Sequence, residues 1–201
     1  MAATPILCVT RADQGAPGVT IATIYGALFC QRRTPLYIQN GGLGYAHSRN
    51  VLFREARQQL GVKVARGFLL DDDIRIIDQK ALEKVLARAD ANQWNIVAPY
   101  RALNGRLSIL KTIPPQSNGT STEMLTEDEL HEIHPWDRIQ LAGLGFYYGD
   151  IPLDYIFHEG NPYVGEDLNF FHENKYLETR LAPLYVEHIK QTVLPGVKYS
   201  G

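Results

Sequence analysis

Apolar residues along this chain come in two rhythms, and the first half switches between them repeatedly. "PILCVT" (5–10) is a short, β-prone apolar run and predicts a first strand. "RADQGAPG" breaks it with Gly and Pro. In 19–31, Ile21, Ile24, Ala27 and Leu28 recur at helical spacing. "PLYIQN" (35–40) predicts a second strand and "GGLG" (41–44) a turn. The clearest helix is 46–61, with Val51, Leu52, Ala56 and Leu60 as its apolar stripe and Gly61 as its stop. "VARGFLL" (64–70) predicts strand three. A helix follows over 78–91 with Asp78 as N-cap, and "WNIVAPY" (94–100) predicts strand four.

This alternation of strand and helix predicts an α/β fold with a mostly parallel central sheet. The second half is less regular. "RLSILKTI" (106–113) predicts a strand. The polar, turn-rich segment 114–137 reads as a mobile excursion over a site. "DRIQLAGLGFYYGDI" (137–151) returns to strand character with "GLGF" inside it. "GEDLNFFHENKYLETR" (165–180) opens on acids and becomes helical, and "APLYVEHIKQ" (182–191) predicts a last strand.

In parallel α/β sheets, ligands bind outside the carboxyl ends of the strands. Three polar clusters fall at such ends: Thr10-Arg11, Asn40-Gly41, and the consecutive acids Asp71, Asp72 and Asp73 after Phe68-Leu69-Leu70. Three like charges beside an apolar strand are unfavourable unless a cation or hydrogen bonds compensate. Carboxylates at a strand end suit Mg²⁺ or Mn²⁺, which prefer oxygen ligands. The same triplet also fits a capped, solvated corner. "HSRN" (47–50) opens the clearest helix, where Arg49 can present a fork of donors to an anion. Glu166 and Asp167 stand at a loop-to-helix junction, where a carboxylate can act as a general base or simply as a cap. His188 comes late in the chain, and a lone His is more often structural than a ligand. His47, His131, His134, His158 and His172 show no metal-binding spacing.

The chain has 201 residues, 45% hydrophobic and 21% charged, with a formal net charge of -2. That length fits one sizeable domain or two small ones. The charge gives no basic field for nucleic acid. Cys8 and Cys30 read as reduced, buried thiols, and "NGT" at Asn118 as an ordinary loop. No window approaches the ~20 apolar residues of a membrane helix, and the start lacks a signal peptide, so the expected location is cytoplasmic. No P-loop or Rossmann glycine fingerprint is present.

The order of these features resembles the nucleotide-sugar-dependent glycosyltransferases of the GT-A fold, above all their large inverting family. The likeness spans roughly 5–190 and is strongest at "SRN…GFLLDDD" and "GEDLNFF". It implies a GT-A-type single domain, with 1–100 binding the nucleotide sugar and 101–201 the acceptor. It implies that Asp71 and Asp73 form the D-x-D motif beside Asp72, with Asp73 on the metal (Mn²⁺ or Mg²⁺) and His188 completing that site. Asp167 then matches the catalytic base, Arg49 the contact to the diphosphate or sugar, and Thr10, Arg11 and Asn40 the nucleotide pocket. The implied partners are a nucleotide-diphosphate sugar and a glycan or other hydroxyl acceptor. Strand two ends in "QNGG" where the family often has acids that bear on recognition of the base; the absence of the "QxxRW" signature argues against a processive polymerising synthase. Two other functions fit parts of the pattern. A nucleotidyltransferase would use the same acids but wants more basic residues after strand one. A non-catalytic carbohydrate-binding module would leave Asp167 without a role.

Overall fold

The computed structural model describes residues 4–10, 36–40, 44–71, 74–100, 108–113, 121–139, 141–159, 166–184 and 186–188. The helix expected over 19–31, Cys30 and Asn118 lie outside them. Strands β1 (Ile6–Thr10), β2 (Leu36–Asn40) and β3 (Val64–Asp71) match the predicted first three. Strand four is shorter than expected: β5 covers Asn95–Val97. With β9 (Phe146–Pro152) and β10 (Thr179–Leu181) they form a six-stranded sheet in the order β10-β5-β9-β3-β1-β2.

β1 pairs in parallel with β2 and β3, and β5 with β10. β9 is antiparallel to both β3 and β5, so it alone runs against the others. The sheet is mixed rather than simply parallel. β9 takes an inner position because nearly all of "FYYGDIP" is buried, as a strand covered on both faces requires.

Helix α1 (Tyr45–Leu60) ends at Gly61, whose φ of 69° is the left-handed conformation glycine adopts without penalty. Helix α2 (Gln79–Asn92) starts at Asp78, whose side chain accepts from the Ala81 N–H at 3.0 Å. The two helices cover opposite faces. Leu7, Val9, Leu69, Tyr147 and Ile151 pack with Leu52, Phe53 and Ala56 of α1. Ile6, Cys8, Phe68, Leu70 and Phe146 pack with Leu82, Val85, Leu86 and Ala89 of α2. Alternate residues of each strand therefore supply alternate cores. Cys8 is buried.

Two small sheets lie beside the main one. β4 (Ile74–Ile76) pairs antiparallel with β11 (Val186–His188). β6 (Ile109–Ile113) lies between β7 (Ser121–Met124) and β8 (Leu141–Ala142). The excursion expected over 114–137 is corrected from 121 onward. It holds β7 and then helix α3 (Glu127–His131), fixed by a reciprocal capping box between Thr126 and Glu129. The helix expected in 165–180 is α4, Glu166–Glu173. No helix among the described residues is long and apolar enough to cross a membrane.

Candidate functional site

The strand register brings the predicted polar ends together. Thr10 lies opposite Asn40, and Asp71 opposite Val9, at the carboxyl edge of the sheet. Because β9 runs the other way, its start lies at this same edge. The Asp71 N–H donates to the Gly145 carbonyl at 3.0 Å.

Helix α1 begins beside that edge, and "SRN" gives each of its three residues a separate task. The Ser48 hydroxyl donates to the Gly44 carbonyl at 2.8 Å and ties down the first turn. Asn50 clasps the backbone of Phe157. Its amide donates to the Phe157 carbonyl at 2.9 Å, and its oxygen accepts the Phe157 N–H at 2.7 Å. The same amide also reaches Glu159 at 2.8 Å, and His47 lies 3.2 Å from that carboxylate. These two neighbours, Asn50 first, hold the Glu159 carboxyl below its ordinary pKa.

Arg49 points inward. Its side chain is 2% exposed, while those of Asp71 and Asp167 are 22% and 25% exposed. One arm of the guanidinium, Nη2, donates to Asp71 Oδ1 at 3.2 Å, and the other, Nη1, donates to Asp167 Oδ1. The second Asp167 oxygen accepts the Leu144 N–H at 3.1 Å. The rings of Phe157 and Tyr45 lie 5.6 Å and 5.9 Å from the guanidinium carbon. Burying an arginine this deeply is costly unless opposite charge accompanies it. The two carboxylates answer the guanidinium's charge from different elements.

The edge also gathers the ends of the small sheet. Register places His188 opposite Ile74, the residue that follows Asp73 in sequence. Residues directly opposite in an antiparallel pair lie about 4.5–5.5 Å apart between Cα atoms. Carboxylate oxygens are the ligand type that a hard divalent cation prefers. Among the described residues, no three His, Cys, Asp or Glu side chains form a metal-binding group. Arg11, Asp72 and Asp73 lie outside the described residues. For Thr10, Asn40 and His188 the backbone alone is described.

Arg49, expected at the diphosphate or sugar, is buried, with its two arms on Asp71 and Asp167. The sequence reading also missed Asn50, Leu144, Gly145 and Phe157 as parts of this edge. "GLG" was the available signal for two of them. A Cβ on Gly143 or Gly145 would come within 2.7 or 2.6 Å of the Tyr100 hydroxyl, so both glycines let Tyr100 lie against this backbone. Below the site, Tyr155 packs edge-on to Phe157 and Phe170 at 4.9 Å and 5.3 Å. Burial first, then the nearby Glu173, pushes the Tyr155 phenol up to about 12.

No protein-family model matches this chain, and no curated protein matches it. The crystal structure of A197 from STIV is similar in fold, with a TM-score of 0.58 and 16% sequence identity. The likeness covers 94% of this chain and 86% of that one. It supports a mixed α/β, Rossmann-like sheet flanked by helices.

Proposed function

We propose that this chain is a metal-dependent glycosyltransferase of GT-A type, moving a sugar from a nucleotide-diphosphate donor to an acceptor hydroxyl with inversion. One observation carries the reading. Arg49 joins Asp71, at the end of β3, to Asp167, in the first turn of α4, at the carboxyl edge of the sheet. These are the two acids the resemblance assigns to donor and acceptor. A capped corner or a simple binding module gives no reason to tie them to one buried cation.

Asp73 and His188 would hold Mn²⁺ or Mg²⁺, which when bound stabilises the charge that gathers on the departing diphosphate. Asp71, with Asp72 beside it, faces the ribose and diphosphate; Thr10, Arg11 and Asn40 line the nucleotide end. Asp167 is the base. Each of its oxygens accepts one hydrogen bond and keeps a second lone pair, so it can take the proton of the acceptor hydroxyl. That oxygen attacks the anomeric carbon as the bond to the diphosphate oxygen breaks, from the opposite face, and the configuration inverts.

The test is calorimetric titration of nucleotide sugars with and without Mn²⁺, followed by transfer assays. The matching donor should bind with Mn²⁺, and Asp73→Ala should lose that metal-dependent affinity. Asp167→Asn should keep most of the donor affinity and lower transfer by about 10²–10⁴-fold. Transfer at the wild-type rate in Asp167→Asn would remove it as the base, and a product with retained configuration would overturn inversion.

A further inference from the structure

We infer that Arg49 is a positioning residue that makes Asp71 and Asp167 a single unit, so that the acceptor-side acid helps to set donor affinity. This rests on the glycosyltransferase reading of those two acids and deepens it.

The contacts form a closed ring. Arg49 Nη2 holds Asp71 Oδ1. The Asp71 N–H holds the Gly145 carbonyl. Leu144, its neighbour, holds Asp167 Oδ2 through its own N–H. Asp167 Oδ1 returns to Arg49 Nη1. Every link joins different elements: α1, the end of β3, the start of β9 and α4. A shift of either carboxylate therefore strains the other through two routes, one by side chain and one by backbone.

The ring also has a fixed foundation. Arg49 is 1% exposed overall and is flanked by the Phe157 and Tyr45 rings. Asn50, the next residue, bonds both backbone groups of Phe157. A guanidinium that swung to solvent would give up both carboxylates and both rings. Its geometry matters as much as its charge: a planar fork aims two N–H groups at two acceptors in fixed directions, whereas an ammonium on a flexible stem does not. Groups that share one hydrogen-bond network respond to substitution non-additively.

The experiment measures donor affinity with Mn²⁺ in Asp167→Asn, Asp167→Ala, Arg49→Lys and the Arg49→Lys/Asp167→Ala double variant, with thermal unfolding confirming each fold. Asp167→Asn keeps an oxygen toward Arg49 but turns its amide nitrogen to the Leu144 N–H, so it loses one link of the ring and should weaken donor binding less than Asp167→Ala does. Asp167→Ala removes that acceptor and should weaken donor binding by about tenfold. Arg49→Lys retains the charge and should weaken it similarly, and the double variant should be no worse than either single one. Equal affinity in the Asn and Ala variants, or additive losses in the double variant, would overturn the coupling while leaving the enzyme reading intact. If wild type binds no nucleotide sugar, the function reading fails and this inference with it.

Discussion

At the carboxyl edge Arg49 lies between Asp71 and Asp167; at the amino edge Arg66 lies between Asp90 and Asp150. Strand β3 contributes to both, with Arg66 near its start and Asp71 at its end. Arg66 bonds Asp90 at 2.7 Å, Asp150 at 3.3 Å and the Trp94 carbonyl at 2.9 Å, with the Tyr148 ring at 5.0 Å. Partial burial works against its charge, but the bond to Asp90 and the charges of Asp90 and Asp150 outweigh it and raise its pKa. A groove of about 780 Å³ opens beside it. The difference is depth. Arg66 is 27% exposed and its partners 50% and 45%, so water screens the set. Arg49 is 2% exposed, and its charge is answered by the two acids in a drier place.

The sharpest way to break this comparison is to neutralise both arginines at similar volume. Arg49→Met leaves two partly buried carboxylates facing each other without their cation. It should cost about 3–5 kcal/mol of stability. Arg66→Met removes a screened, half-exposed network and should cost about 1 kcal/mol or less. Urea denaturation of the two variants reads both values. Similar losses would mean that depth does not distinguish the two edges.

A Cβ inserted at matching places separates stability from function. Gly149 lies between Tyr148 and Asp150, and a Cβ there would come within 2.1 Å of Asn95 Oδ1. That oxygen accepts the Asp150 N–H at 2.7 Å, and Asn95 is buried. Gly149→Ala should cost about 1–3 kcal/mol by overpacking, with donor affinity unchanged in the folded protein. Gly145→Ala meets the Tyr100 ring at 2.6–2.7 Å and shifts the carbonyl that holds the Asp71 N–H. It should weaken donor binding as well as stability. A donor-affinity loss in Gly149→Ala would tie the amino edge to the site.

Much of this arrangement could be read from the chain, because local rules govern it. β1, β2 and β3, both long helices and the Asp78 cap follow from periodicity and capping chemistry. The depth of Arg49 was also legible: 49, 52, 53 and 56 have the spacing of one helix face, and Leu52, Phe53 and Ala56 are buried. The stripe Val51, Leu52, Ala56 and Leu60 leaves Arg49 out. Thr126-x-x-Glu129 likewise announced α3 within a segment read as an excursion. The place of β9 was not legible. A continuous apolar run shows burial on both faces but names neither neighbours nor direction, so its insertion between β3 and β5 waits on the tertiary fold. The pairing of β4 with β11, which sets His188 against Ile74, joins segments 112 residues apart at Arg75 and Glu187, with no local signal for it.

The smallest expected effect concerns a contact that belongs to the carboxyl edge but is exposed like those of the amino edge. Glu159 accepts from Asn50 and lies beside His47, which pins the 157–159 segment over α1 and keeps Phe157 against Arg49. Its carboxyl pKa is lowered in the folded chain, Asn50 being the larger cause and His47 the next. A depressed carboxyl stabilises the fold above its unfolded value, about 4.3 for glutamate, and that contribution fades as pH falls through the folded value. The Asn50–Phe157 backbone bonds do not titrate, so acid should loosen the clasp without opening it. Thermal unfolding of wild type and Glu159→Gln should therefore differ slightly at pH 7, and the gap should close below about pH 4. A gap of the same size at pH 3 and pH 7 would show that the Glu159 charge adds nothing, leaving the foundation of Arg49 to the Asn50 clasp alone.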